Sequence, residues 1–226
     1  MIRTQTRRRR NARRVLCFKN QGNFKILTLK RAPPGGARLP RRSVPTLWFS
    51  VPSLPKSMIA VPWNYWSVSG FDRAIKPFAD AGIETWVAPG VNNWNRVYPN
   101  NDVALRNIQG FVRDGQRLGS TGMLNTNWDD DGEGIFNQVW YGVLFGAAAS
   151  WQHGESSIPH FVESFGLQFH GDGTGKISAA QAKLSQAQAL LAKSGPGEAT
   201  TQLYWLDPFT HEGQLAAQKL RAISHD

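Results

Sequence analysis

Trp63, Trp94 and Trp128 recur at the same point of three consecutive segments, each beside asparagine or aspartate. Flat indole faces next to amide and carboxylate groups suit a sugar. Its C–H faces stack on aromatic rings while its hydroxyls need hydrogen-bond partners. The competing use of the same indoles is structural: plugging the top of a barrel, or packing under loops. Asp129-Asp130-Asp131 is the densest charge in the body of the chain. Three adjacent carboxylates repel, so at least one must face solvent, a cation or a substrate. Asp131 also reads as the N-cap of a following helix, and Glu133 as a first-turn helix acid. A calcium loop is the obvious rival, but Asp-x-Asp-Gly lacks the remaining ligand positions.

Other chemistries find little support. His153, His160, His170, His211 and His225 are scattered and form no metal pattern, so no metal or cofactor is expected. Gly171-Asp172-Gly173-Thr174-Gly175-Lys176 superficially resembles a phosphate loop. Its spacing is wrong, Ile177 stands where a hydroxyl should hold magnesium, and no strand precedes it, so it reads as a turn. A lone Cys17 excludes a disulfide scaffold.

The elements that must position the tryptophans follow a strand–loop–helix rhythm. Met58-Ile59-Ala60-Val61 reads as a buried strand running into the loop Trp63-Asn64-Tyr65-Trp66. Phe71, Ile75 and Phe78 then recur at helix spacing, with Gly82 as a stop. Thr85–Ala88 is a second strand, Asn92-Asn93-Trp94-Asn95 its loop, and Val103, Leu105, Ile108, Phe111 and Val112 mark a second helix. Met123–Thr126 opens the third cycle. Its helix is expected over residues 134–151, with Ile135, Phe136, Val139, Trp140, Val143 and Leu144 packed. Strands alternating with helices at this spacing predict a parallel α/β sheet or barrel, with the loops after the strands on the ligand side. Beyond Trp151 the rhythm stops. Helices are expected over 177–193 and 212–223, so residues 152–226 read as a helical extension, cut short.

Charge divides the chain. The formal net charge is +10, yet residues 1–44 carry 14 of the 26 Lys and Arg and none of the 16 acids. The body is therefore mildly acidic. The run Arg7–Arg10 with Arg13 and Arg14 is too self-repelling for a packed element, and residues 1–50 read as a basic, mostly disordered arm. Phe24–Leu29 is a strand candidate within it. The arm is a solvated tail, an electrostatic contact for nucleic acid or anionic lipid, or a targeting segment. No secretory pattern is visible, so localisation stays open. No helix-turn-helix or aromatic RNA motif supports nucleic acid as partner. No run approaches the ~18–20 apolar residues of a membrane span.

At Trp128 the chain resembles a known family. Residues 122–133 (GMLNTNWDDDGE) and 140–149 (WYGVLFGAAA) look like the last strand and helix of the glycoside hydrolase family 20 barrel, the β-N-acetylhexosaminidases. Residues 86–94 (WVAPGVNNW) resemble its seventh strand in a bacterial branch, residues 58–66 the sixth, and residues 151–213 the helices that follow. The resemblance implies a partial (β/α)8 TIM barrel, about the last three β/α units over residues 51–151. It also implies a carbohydrate partner bearing terminal N-acetylhexosamine, and retaining, substrate-assisted hydrolysis in a complete enzyme. The family's eighth-strand tryptophan and following carboxylate map onto Trp128 and Asp130, with Asp129 as a substitute. Trp63 matches the sixth-strand tryptophan, and Asn93 and Trp94 stand near the family's seventh-strand pair. The family's general acid sits in an Asp-Glu dipeptide, and no Asp-Glu dipeptide occurs in this sequence.

The chain alone is thus expected to hold part of a sugar subsite without the catalytic pair. A missing amino-terminal half-barrel, supplied by another chain, is a candidate partner. Three strands alone would leave one open edge and one uncovered face. Two other readings compete: a nucleic-acid-binding protein using the arginine arm, and an intact small α/β domain.

Overall fold

The computed structural model describes residues 14–19, 51–129, 134–193 and 206–220. Four parallel strands form one sheet: β1 (Arg14–Lys19), β2 (Met58–Trp63), β3 (Glu84–Val87) and β4 (Gly122–Met123). Their spatial order is their chain order, without reversal. Helices α1 (Asp72–Asp80) and α2 (Asn101–Arg117) join β2 to β3 and β3 to β4. Parallel neighbours need such a crossover, because a tight turn can only reverse a strand. A 3-10 turn at Phe136–Val139 leads into α3 (Trp140–Trp151), followed by α4 (Ile158–His170), α5 (Lys176–Lys193) and α6 (His211–Leu220). The chain is a mixed α/β protein with a helical carboxyl-terminal region.

Side chains of β2 alternate between two apolar layers, as the period of two in a strand dictates. Met58 and Ala60 meet Phe78 and Ile83 on the side of α1. Ile59 and Val61 point the other way, onto Ala88, Trp63 and Trp86. The largest core lies between β3 and the helices. There Val87 packs with Leu105, Ile108 and Phe111 of α2 and with Tyr141 and Phe145 of α3. Phe71 and Phe111 stack with centroids 4.2 Å apart and planes 13° from parallel, fixing the start of α1 on α2. Gly82 follows α1 at φ +67° and Gly171 ends α4 at φ +69°, backbone positions where a Cβ is strained. Asp172 accepts from Ile177 N at 2.7 Å and from Thr174 N at 2.9 Å, so the glycine-rich stretch is the turn that starts α5. These backbone donors hold its carboxyl below the usual range.

Three expectations need correction. The basic arm contributes β1, which pairs with β2 from Arg14↔Met58 to Lys19↔Trp63, so Arg14 does sit in a regular element. Backbone pairing with β2 supplies what the local charge pattern does not reveal. The strand candidate Phe24–Leu29 lies outside the described residues. Second, the outer edge of β2 is therefore not open, and the second face is not bare: Val61 is 0% exposed and Ala88 2%.

Third, the third-cycle helix starts only at Trp140. Ile135 and Phe136, expected to be packed, are 58% and 62% exposed, and Trp140 is also exposed. The buried stripe of α3 is instead Tyr141, Phe145 and Ala149, spaced by four residues toward α2 and α4. Residues 158–170, within the expected helical extension, form α4. Ser157 caps it by accepting from His160 N at 3.2 Å, and Pro159 fits its first turn.

Candidate functional site

Parallel strands put all their carboxyl ends at one end of the sheet, so the loops after β2, β3 and β4 meet there. The ladder continues past the strands through bridges Trp63↔Ala88 and Gly90↔Thr126. These bridges bring the three expected indoles together around Tyr65. The Tyr65 ring lies 5.0 Å from Trp63, at 33°, and 4.7 Å from Trp94, at 48°. Trp128 Nε1 donates to the Tyr65 hydroxyl at 2.8 Å. Trp63 and Trp94 are half-buried, and Trp128 is 48% exposed.

Three asparagines clamp these loops. Asn93, a sequence candidate, bonds both backbone groups of Trp128: its Nδ2 donates to Trp128 O at 2.6 Å, and its Oδ1 accepts from Trp128 N at 3.3 Å. Buried Asn93 therefore acts as a brace for the loop. Asn92 donates to Tyr65 O at 3.0 Å and sits at φ +55°, a conformation asparagine tolerates better than most residues. Asn107, fully buried on α2, donates to Asn64 O at 2.9 Å and to Trp66 O at 3.0 Å. Its Oδ1 accepts from Gly90 N at 3.1 Å. Each bond satisfies a loop backbone group that regular structure does not reach.

Gly90 is where the loops approach most closely. A Cβ there would lie 2.9 Å from Tyr65 Cδ1, 3.0 Å from Thr126 Oγ1 and 3.1 Å from Trp94 Cζ3. Arg96 supports Trp94 from behind. It is 2% exposed, donates from Nη1 to Trp94 O at 2.7 Å, and places its guanidinium carbon 5.6 Å from the Trp94 ring centroid.

Asp129 is exposed, and its Oδ1 accepts from Gly134 N at 3.3 Å. It lines a cleft with Asn93, Arg96, Asn127, Phe136 and Gln138. The cleft encloses about 270 Å³ with its solvent-open part counted. None of the three indoles lines it. Asp130, Asp131 and Glu133 lie outside the described residues; the helix that Asp131 was expected to cap begins at Trp140, after Val139.

Tyr65, Asn92, Arg96 and Asn107 were not singled out from sequence. Asn107 carried a signal: it stands among Leu105, Ile108, Phe111 and Val112 on the packed face of a helix, where an amide needs a partner. Tyr65 sat in a noted aromatic loop, but its central place depends on three loops meeting.

Among the described residues, no three His, Cys, Asp or Glu side chains cluster as metal ligands, and no helix is long and apolar enough to cross a membrane. Comparison with models of known protein families and with curated proteins finds no match.

Proposed function

We propose that the rim of Trp63, Tyr65, Trp94 and Trp128 binds a carbohydrate bearing N-acetylhexosamine. On this reading the chain is the carboxyl-terminal part of a (β/α)8 barrel of the β-N-acetylhexosaminidase type. One observation carries the proposal: three indoles from three successive β–α units gather on one tyrosine at the carboxyl end of a parallel sheet. Unreversed strand order also supports it, because a barrel needs each strand beside its chain neighbour. Asp129, next to Trp128 in the chain, brings an exposed carboxylate of the kind that bonds sugar hydroxyls.

Hydrolysis is not part of the proposal for this chain alone, which has no Asp-Glu pair to protonate the leaving group and orient the acetamido group. Titration with N-acetylglucosamine should change tryptophan fluorescence at millimolar concentrations, and a chromogenic N-acetylglucosaminide should stay uncleaved. A flat fluorescence response to high millimolar sugar would reject the binding site. Cleavage abolished by replacing a carboxylate of this chain would reject the division of labour.

A further inference from the structure

We infer that Tyr65 is a positioning residue that sets the orientation of the Trp128 indole, and hence the stacking platform of the rim. The inference rests on the carbohydrate reading above for its purpose, though not for its geometry.

Trp128 is held at two places of different kinds. Asn93 bonds its backbone N–H and C=O, which fixes the loop but leaves the side-chain torsions free. The indole has one polar atom, Nε1–H, and that donates to the Tyr65 hydroxyl at 2.8 Å. That bond tethers the indole at its edge, while Trp128 as a whole stays 48% exposed. A stacking surface needs that combination, because a sugar meets the face of the ring and not its N–H edge.

Tyr65 is suited to be the fixed post. Its ring packs against both Trp63 and Trp94, with centroids 5.0 and 4.7 Å away. Its carbonyl accepts from buried Asn92 at 3.0 Å. Asn107 holds the carbonyls on either side of it in the chain, those of Asn64 and Trp66. Gly90 leaves room for the ring where any larger residue would intrude. Two of the indoles therefore position the tyrosine, and the tyrosine positions the third. Preorganising the platform removes ordering cost from binding.

Tyr65→Phe in the full chain tests this, because it keeps the ring that packs on Trp63 and Trp94 and removes the hydroxyl that accepts from Trp128 Nε1. The first readout needs no sugar. In ¹⁵N-tryptophan-labelled protein, the Trp128 indole N–H resonance, assigned by its loss in Trp128→Phe, should shift and exchange faster with water in Tyr65→Phe. The second readout is affinity for N-acetylglucosamine, expected to weaken about fivefold, the worth of one ordinary hydrogen bond. In a Trp128→Phe background, which has no donor, Tyr65→Phe should have no further effect on affinity.

An unmoved Trp128 indole resonance in a folded Tyr65→Phe protein would overturn the assignment whatever the sugar does. Full additivity of the two substitutions would overturn it as well. If the resonance moves but neither protein binds the sugar, Tyr65 is supported as the anchor and the carbohydrate reading falls.

Discussion

The carboxylate of Asp114 caps a helix to which it does not belong: its Oδ2 accepts the backbone N–H of Phe71, at the start of α1, at 2.9 Å. Phe71 stands at the N-cap of α1 without a capping side chain of its own, so an orphan donor of that helix is satisfied from α2. Asp114 is 3% exposed and also accepts from Arg113 Nε at 3.0 Å. Burial by itself would push its carboxyl up. The bonds from Arg113 and Phe71 and the nearby Arg117 outweigh that and hold it below the usual carboxylate range.

A carboxyl depressed in the folded state stabilises above its unfolded pKa, near 3.8. That contribution is lost as pH falls through the lower folded value. Urea midpoints should therefore drop on acidification below about pH 4 more steeply in the native protein than in Asp114→Asn. Parallel acid limbs for the two proteins would contradict the account.

Alkaline pH should act through two tyrosines. Burial pushes the Tyr98 hydroxyl up to about 12; Asn101, Gln181 and Ser185 lie around it and pull it back only weakly, none making a well-formed bond. Burial, with a smaller contribution from Tyr98, likewise raises Tyr141 to about 12. Both raised values mean stability that is complete below pH 10 and lost as pH rises toward 12. An ultraviolet titration should show Tyr98 and Tyr141 ionising late, and Tyr141→Phe should remove one late step.

Gly90→Ala should disturb the rim directly. The new methyl would lie 2.9 Å from the Tyr65 ring and 3.1 Å from the Trp94 ring. Overpacking of this kind costs about 1–3 kcal/mol. Near-ultraviolet circular dichroism, which reports on fixed aromatic geometry, should change while the far-ultraviolet helix signal is retained.

Asn107→Ala removes one side chain and strands three backbone groups, Asn64 O, Trp66 O and Gly90 N. Leaving such buried groups unpaired should cost about 3 kcal/mol, or a fall in Tm of about 6–12 °C. A loss within 1 °C would mean that the loop relaxes onto water, roughly the outcome for an exposed position.

Much of the positioning frame was legible because it rests on short-range pattern. The apolar run at Met58, the helix spacing of Phe71, Ile75 and Phe78, and that of Leu105, Ile108 and Phe111 each declare their element within a turn or two. So does the gathering of Trp63, Trp94 and Trp128, which follows once parallel strands put equivalent loops at one end. What the sequence hid is long-range. Residues Arg14–Lys19 become a strand only by pairing with Met58–Trp63. Ile135 and Phe136 look packed by spacing, but the 3-10 turn shifts the buried stripe to Tyr141, Phe145 and Ala149. Tyr65 earns its place from neighbours on two other loops.

Strand order without reversal has a consequence for how the chain is made. After β1, each described strand that leaves the ribosome finds a neighbour already synthesised: β2 meets β1, β3 meets β2, β4 meets β3. Among the described strands only β1 waits for a partner encoded later, so from β2 onward the sheet is able to grow vectorially.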